Sequence, residues 1–136
     1  MHCLIRMAFL LASLSVAAGE ESRLQSIRLP RGFEISMFAE HVPGARSMAL
    51  GEDGTVYLGT IDDAGKVYAL RDRDGDGHAE QVWTVASGLN MPTGVAYHRG
   101  DLYVAEISRS VKFRDIAFRL DQPPPPEVIA DVYPSE

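Results

Sequence analysis

Two stretches of the chain repeat each other 46 positions apart. Residues 47–59 read SMALGEDGTVYLG and residues 93–105 read TGVAYHRGDLYVA, so that a glycine turn and a tyrosine recur, Tyr57 being matched by Tyr103. A period in the forties with short strands in each unit is typical of the β-propeller, in which every blade is a four-stranded antiparallel sheet. The sequence therefore predicts an all-β protein of the propeller class, with about two four-stranded blades in this chain. The alternative is a pair of unrelated hairpins that share a glycine turn.

The apolar residues outside the repeat also follow the alternation of β-strands. Strand patterns lie at 33–38, 55–59, 66–70 and 81–86, with turn-forming residues between them. Short strands about ten residues apart, separated by Gly and Asp, are typical of an antiparallel all-β fold. A closed propeller needs about four to eight blades, and two blades alone leave strand edges and an apolar sheet face exposed. We therefore expect this chain to be the N-terminal piece of a longer propeller.

The N-terminus has the three-part layout of a secretory signal peptide. Arg6 precedes an apolar run at 7–16, and small residues at 17–19 provide a cleavage site. This run is too short to cross a bilayer, which needs about twenty apolar residues. A retained N-terminal anchor is the alternative. The predicted organisation is a signal peptide at 1–18, an extended segment at 19–32 and a partial β-propeller domain at 33–136.

The charge balance excludes two classes of partner. The chain has 13 Lys and Arg against 19 Asp and Glu, a net charge of −6, and its basic residues do not cluster. Nucleic acids and anionic membranes bind proteins through clustered basic residues that displace counterions. We therefore expect no nucleic-acid partner, and no membrane association once the signal peptide is removed.

The single cysteine of the chain, Cys3, lies inside the predicted signal peptide. Cleavage after Ala18 leaves a mature chain with no cysteine, which excludes a disulfide, a thiolate nucleophile and a cysteine-ligated metal. A signal peptide on a chain without cysteines indicates a bacterial protein that is periplasmic or secreted.

The order of strands in a propeller blade assigns its loops to two ends. We expect four loops at the end that holds the channel mouth, namely 42–46, 60–65, 88–93 and 106–109. The connections between third and fourth strands, at 72–80 and 123–126, lie at the opposite end, where we expect no ligand. The polar residues of the predicted mouth that can hydrogen-bond a ligand are Arg46, Asn90, Thr93 and Glu106.

Acidic residues occupy alternate positions in the loop at 72–80. Asp72, Asp74, Asp76 and Glu80 place carboxylates around a glycine bend, and Ca²⁺ takes about six to eight such oxygen ligands. An EF-hand is excluded, because Trp83 stands where its bidentate glutamate would be and the flanking segments are not helical. Two interpretations remain, a solvated Asp-Gly turn and a weakly bound structural Ca²⁺, and neither is catalytic.

The aromatic residues Tyr57, Trp83, Tyr103 and Phe113 stand at strand positions, and we expect them to pack between the blades. The chain has no Ser-His-Asp set, no phosphate loop and no dinucleotide fingerprint in its sequence. The residues alone therefore do not define a catalytic site.

Four segments carry a resemblance to a known family: LPRGFEI at 29–35, ARSMALG at 45–51, GLNMPTGVA at 88–96 and LYVAE at 102–106. They resemble the N-terminal part of the sorbosone dehydrogenase-like proteins, relatives of the soluble glucose dehydrogenases that use pyrroloquinoline quinone (PQQ). The GLNMP stretch combined with the DGDG loop is fairly specific, and the resemblance covers nearly the whole mature chain. It implies a six-bladed propeller with PQQ at the channel mouth and a Ca²⁺ ion that polarises the quinone.

The resemblance also implies an activity. A histidine of that family takes the proton of the sugar's anomeric hydroxyl while hydride passes to the quinone. That histidine, the basic residues that hold the quinone and the ligands of the cofactor Ca²⁺ follow a segment like 132–136, so we expect this chain alone to be inactive. Arg46, Asn90 and Glu106 are then the candidate cofactor contacts.

Two functions are thus expected from the sequence. The first is the N-terminal part of an exported PQQ-dependent sugar or aldehyde dehydrogenase, with a sugar or aldehyde as substrate and an electron-acceptor protein as partner. The alternative is a non-catalytic β-propeller that binds carbohydrate or another protein.

Overall fold

The computed structural model of the chain describes residues 24–131 and 133. The predicted signal peptide at 1–18 lies outside these residues. Among them, no helix is long and apolar enough to cross a lipid bilayer. The chain divides into two units, Met1–Ser36 and Met37–Glu136. In the described part of the first unit, backbone hydrogen bonds close turns from Ile27 N to Leu24 O (3.1 Å) and from Phe33 N to Pro30 O (3.2 Å).

The described residues of the second unit form eight strands, in two separate antiparallel sheets of four. The first sheet contains β1 (Ala45–Leu50), β2 (Val56–Thr60), β3 (Val67–Arg71) and β4 (Gln81–Ala86). The second sheet contains β5 (Gly94–His98), β6 (Asp101–Ala105), β7 (Ser110–Phe113) and β8 (Glu127–Ala130), with a short 3₁₀ helix at Ile116–Phe118 between β7 and β8. In each sheet the strands lie side by side in chain order. The prediction of an all-β chain with two four-stranded antiparallel sheets is confirmed.

The strand predicted at 33–38 is wrong, since the structure has no strand at these described residues. The alternating pattern gives a segment the side chains of a strand, but a strand also needs a neighbour for its backbone groups. Within the second unit, this part of the chain has one such bond, from Ala79 N to Phe38 O (2.7 Å). A single hydrogen bond does not form a β-ladder.

The two sheets repeat each other in register. Tyr57 stands opposite Ala49 in the first sheet, and Tyr103 stands opposite Ala96 in the second. The offset between equivalent residues is therefore 46 from β2 to β6 but 47 from β1 to β5, because the second hairpin has a turn one residue shorter. That tight turn has positive φ at both Arg99 (50°) and Gly100 (89°), as a two-residue hairpin loop requires.

One face of each sheet packs against the other sheet, and we call these the inner faces. The buried cluster between them contains Tyr57, Val67, Ala69, Val85 and Leu89 from the first sheet and the following linker, and Leu102, Val104, Val111, Phe113, Ile116 and Leu120 from the second. Burial of each large apolar side chain contributes about 1.5–3 kcal/mol, so this cluster is the main source of stability. The rings of Tyr57 and Tyr97 stack across the interface, with centroids 5.3 Å apart and planes 11° apart.

Gly59 on β2 lies close to the linker that precedes β5 and to the start of β5. A Cβ on Gly59 would overlap the carbonyl oxygen of Pro92 and stand 3.1 Å from Val95 Cγ1. The Ser47 hydroxyl donates a hydrogen bond to Thr93 O in the same contact. This packing therefore requires glycine at position 59.

The faces turned away from this interface, the outer faces, differ between the sheets. On the first sheet, Leu58, Tyr68 and Leu70 are buried under Phe38, Val42 and neighbouring residues, whereas Met48 and Leu50 are each 69% exposed. On the second sheet, an open cavity of about 270 Å³ is lined by residues that include Gly94, Ala96, Tyr103, Ala105, Ser110 and Ile129.

The predicted packing of the aromatic residues is confirmed for two of the four. Tyr57 and Phe113 are buried between the sheets, at 0% and 1% exposure. Trp83 is half-buried at the edge of the same cluster, where its Nε1 donates to Asp121 Oδ1 (2.9 Å). Tyr103 lies on the outer face of the second sheet and is half-buried. The prediction of inter-sheet packing is therefore wrong for Tyr103 in the described part of the chain, which has no sheet covering this face.

Candidate functional site

The four loops predicted at the channel mouth meet at one end of the two sheets, which we call the loop end. Hydrogen bonds between backbone groups join neighbouring loops into one layer. These bonds run from Ile61 N to Gly44 O (2.9 Å), from Gly88 N to Ala64 O (3.0 Å), from Leu89 N to Gly65 O (3.1 Å) and from Ile107 N to Asn90 O (3.2 Å).

Glu106 is the most buried charged side chain of the loop end, at 1% exposure. Its Oε1 accepts from Arg109 Nε (2.6 Å), and its Oε2 accepts from the backbone N–H of Asn90 (2.6 Å). The backbone N–H of Glu106 also donates to Arg109 O (2.8 Å). A buried carboxylate needs such partners to offset its loss of hydration. Glu106 therefore fastens the linker between the sheets to the β6–β7 loop.

Thr60 is the equivalent of Glu106 in the first sheet, but it makes a different set of hydrogen bonds. Its hydroxyl donates to Lys66 O (2.7 Å) and accepts from Lys66 N (3.2 Å). Thr60 is fully buried, and its bonds close only the β2–β3 loop. Glu106, being longer and charged, reaches a second loop as well.

The other two predicted cofactor contacts lie at the same end. Arg46 stands within the irregular register at the start of β1, and Asn90 lies in the linker before β5. Both residues are exposed, so the guanidinium of Arg46 and the amide of Asn90 face solvent. Thr93, the fourth polar candidate, is half-buried, and its carbonyl oxygen accepts from Ser47.

These residues fit PQQ only in part. The quinone carries three carboxylates, and the exposed guanidinium of Arg46 is a suitable partner for one of them. Both carboxylate oxygens of Glu106 already accept hydrogen bonds within the chain, and a negative carboxylate does not attract an anionic cofactor. The described residues therefore do not make a complete quinone site, and no chemical step follows from them.

The acidic loop at 72–80 joins β3 to β4, at the end of the sheet opposite the loop end. Its backbone N–H groups point at its own carboxylates. Asp72 accepts from Gly75 N (2.7 Å) and Gly77 N (2.9 Å), Asp74 accepts from Asp76 N (3.2 Å), Asp76 accepts from His78 N (2.8 Å), and Glu80 accepts from Arg73 N (2.9 Å). The hydrogen bond from Gly77, followed by that from Gly75, lowers the pKa of the Asp72 carboxyl against the opposing effect of burial.

The loop brings the four predicted metal ligands together. One carboxylate oxygen from each of Asp72, Asp74, Asp76 and Glu80 lies within 4.8 Å of the others. Ca²⁺–oxygen distances are about 2.3–2.6 Å, so ligands across one ion stand about 5 Å apart. This spacing and the hard oxygen donors fit Ca²⁺. The sequence predicted this cluster because all four ligands come from one short loop.

Arg109 and Arg71 are residues whose roles the sequence analysis missed. Arg109 pairs with Glu106 three positions away. The sequence shows this spacing, but it does not show that Glu106 is buried, which is what makes the ion pair important. Arg71 donates to Thr55 Oγ1 from Nε (3.0 Å) and to Asp53, and its guanidinium lies 5.5 Å from the ring centroid of Trp83. It fastens the end of the first sheet opposite the loop end.

The fold and these loops define an all-β protein built from two repeated four-stranded sheets. Residues 19–117 match a protein family described as a domain of unknown function (DUF7133), and the chain belongs to that family. No curated protein matches the chain, and no solved structure matches it.

Proposed function

We propose that the two sheets are successive blades of a β-propeller, and that the chain is the N-terminal part of an exported, PQQ-dependent sugar or aldehyde dehydrogenase. The observation that carries the proposal is the joining of four loops at one end of two repeated sheets. Successive blades of a propeller have this arrangement, and ligands bind where such loops converge. Localisation in the periplasm or outside the cell belongs to the same proposal.

The residues of the loop end have distinct roles in this proposal. Arg46 offers a positive charge to a carboxylate of the quinone, and the amide of Asn90 offers a hydrogen bond. Glu106 and Arg109 are positioning residues, because their ion pair holds the linker that carries Asn90. Arg46 and Asn90 would hold PQQ together with groups from later blades, and the cofactor would supply a hydride acceptor.

The calcium of the acidic loop is structural in this proposal. Asp72, Asp74, Asp76 and Glu80 lie at the end of the sheet away from Arg46 and Asn90. An ion there is too distant to polarise a quinone at the loop end, but it would rigidify the β3–β4 connection. Calorimetric titration with Ca²⁺ tests this part, since replacing Asp74 and Asp76 by Ala removes two ligands. Equal heats from the parent and the variant would contradict a metal site.

The test of the enzymatic part is dye-linked oxidation of aldoses and aldehydes by the longer protein that the proposal requires. Activity should appear on addition of PQQ and Ca²⁺. Arg46→Gln should then raise the PQQ concentration needed for half-activity about tenfold, the loss of one charge-assisted contact of about 1.4 kcal/mol. Arg99→Gln, at the opposite end of β5, is the matched control and should change nothing.

Failure to oxidise a broad set of aldoses and aldehydes would contradict the dehydrogenase and favour the alternative. That alternative is a non-catalytic propeller that binds carbohydrate or another protein. The observation that favours this alternative is that both carboxylate oxygens of Glu106 accept hydrogen bonds within the chain. This carboxylate therefore stabilises the loops. A reading frame that continues into His-His-Gly-Trp and later basic residues supports the enzyme.

A further inference from the structure

Residues 38–42 repeat the end of β4 and the linker that follows it. The sequence FAEHV at 38–42 corresponds to VASGL at 85–89, with an offset of 47. The backbone repeats as well, because His41 (φ 59°) has a left-handed conformation like its equivalent Gly88 (φ 72°). A positive φ is uncommon for residues other than glycine, so this match reflects a shared turn.

The packing of this segment repeats too. Phe38 and Val42 lie against Leu58, Tyr68 and Leu70 on the outer face of the first sheet. Their equivalents Val85 and Leu89 share a cluster with Val104, Val111 and Phe113, which are the equivalent residues of the second sheet. Phe38 therefore stands where the fourth strand of a preceding sheet would place it, although the described residues include no other strand of such a sheet.

The same comparison identifies the part of the first sheet that lacks a cover. Met48 and Leu50 on β1 are the equivalents of Val95 and Tyr97 on β5. Val95 and Tyr97 are half-buried under the first sheet, and the Tyr97 ring stacks on Tyr57. Met48 and Leu50 are each 69% exposed.

The face that would cover Met48 and Leu50 can be described from the known interface. Val95 and Tyr97 pack on a sheet face of small residues and one tyrosine, formed by Ser47, Ala49, Tyr57, Gly59 and Val67. The part of the chain that the structure describes carries one further face of this kind. It is the outer face of the second sheet, whose equivalent residues are Gly94, Ala96, Tyr103, Ala105 and Ser110 and which forms the open cavity.

We propose that the outer face of the first sheet, with residues 37–42, is the docking surface for a further antiparallel sheet of the same repeat. That partner sheet has three strands of its own and takes residues 37–39 as its fourth strand. Its face of small residues covers Met48 and Leu50. Pairing of this kind is β-augmentation, in which an extended segment of one body completes the sheet of another.

The inference rests on the repeat and not on the enzymatic part of the proposed function. A propeller without enzymatic activity would have the same docking surface. Failure of the dehydrogenase assay would therefore leave this proposal standing, and failure of the experiment below would leave a PQQ site possible.

The chain itself supplies a probe for this surface. Its second sheet has the required face, but β8 already occupies the fourth position. No residue of β8 belongs to the buried cluster, and Val128 and Ile129 are 50% and 46% exposed. Val128 pairs with Val111, and proline there is incompatible with a regular ladder. The Val128→Pro variant, and a chain shortened to residues 1–122, should therefore keep the core and present a three-stranded sheet with a free β7 edge.

The experiment compares these two variants with the parent chain by sedimentation velocity over a hundredfold range of concentration. Circular dichroism and Trp83 emission report whether each variant is folded. We expect both variants to associate head to tail with rising concentration, as a heterologous interface does, while the parent stays monomeric. Adding Met48→Lys and Leu50→Lys should weaken the association at least about tenfold, because both exposed residues are buried in the contact.

Phe118→Lys is the matched control, since Phe118 is an apolar residue 86% exposed on the 3₁₀ helix, outside the strands that form the two faces. It should leave association unchanged. Folded variants that remain monomeric would overturn the proposal, and so would a parent that associates equally well. Either folded variant suffices for the test, because each of them frees the β7 edge. Equal effects of the β1 and Phe118 substitutions would show that association does not use this surface.

Discussion

Tyr57 and Tyr103 occupy equivalent places in the two sheets but differ in burial. Tyr57 is fully buried and stacks on Tyr97 of the second sheet. Tyr103 is half-buried on an outer face, and the ammonium of Lys112 lies 5.8 Å from its ring centroid. Each tyrosine has an alanine opposite it on the neighbouring strand. The difference therefore comes from the sheet that covers Tyr57, and it shows that each repeat depends on a neighbour to bury its face.

The largest effect is expected from truncating the two tyrosines. Tyr57→Ala removes a fully buried ring and should lower the free energy of unfolding by about 4 kcal/mol. Tyr103→Ala removes a half-buried ring and should cost about 1 kcal/mol. Urea denaturation of the two variants measures the difference. Equal losses would contradict the assignment of inner and outer faces.

The next effect concerns the loop end, where Glu106 and Thr60 are equivalent. Glu106→Ala leaves Arg109 and the Asn90 N–H without their acceptor and should cost about 3 kcal/mol. Thr60→Ala removes hydrogen bonds within one loop and should cost about 1 kcal/mol. Hydrogen exchange should also show loss of protection in the linker at 87–93 for Glu106→Ala alone. An unaffected linker would contradict the role given to Glu106.

A smaller effect is expected where the sheets touch at Gly59. Gly59→Ala places a Cβ against the Pro92 carbonyl and should destabilise the chain by about 2 kcal/mol, since the backbone of the linker at Pro92 must move. The equivalent substitution on the second sheet, Ala105→Val, faces the open cavity and should change stability by less than about 0.5 kcal/mol. Thermal denaturation compares the two. A neutral Gly59→Ala would contradict the close approach of Pro92 to β2.

The smallest effect is a gain of stability. The Tyr57 hydroxyl is buried and has no hydrogen-bond partner among the described residues. Tyr57→Phe removes this unsatisfied group and should stabilise the chain by about 1 kcal/mol. Tyr103→Phe, the control, should change little, because its environment is open to solvent.

The same hydroxyl gives a pH dependence. Burial, and then the nearby Asp53 carboxylate, raise the pKa of Tyr57 well above its ordinary value of 10.0. The folded state therefore holds this proton more tightly than the unfolded state, so titration of this group leaves stability unchanged below pH 10 and lowers it as the pH rises further. Denaturation at pH 9 and pH 11 should show a smaller loss of stability for Tyr57→Phe than for the parent. An equal loss in both would contradict the burial of this phenol.

Much of the fold follows from local features of the sequence. The alternation in 55–59, 66–70 and 81–86 predicts three strands, because a sheet with a buried face selects such residues. The segment at 33–38 has the same pattern and is not a strand, because pairing depends on a neighbour that the pattern does not supply. The offset of 46 found in the sequence holds for β2 and β6 but is one residue short for β1 and β5. A single offset cannot describe both pairs, because the turns of the two hairpins differ in length.

The candidate site likewise has one part that the sequence predicts and one part that it does not. The clustering of carboxylates in the loop at 72–80 was predictable, because neighbouring residues of one turn converge whatever surrounds them. Glu106 was predicted only as a polar group of the loop end. Its burial and its bond to Asn90 depend on how the linker passes between the sheets, and one sequence without its tertiary contacts does not contain that information.

The packing of the two repeats can be tested directly by nuclear Overhauser spectroscopy of the parent chain. The ring centroids of Tyr57 and Tyr97 lie 5.3 Å apart, so cross-peaks between their aromatic protons are expected. Tyr103 should show cross-peaks only to its own sheet. Absence of the Tyr57–Tyr97 cross-peaks, or contacts from Tyr103 to the first sheet, would contradict the face-to-face packing of the two repeated sheets.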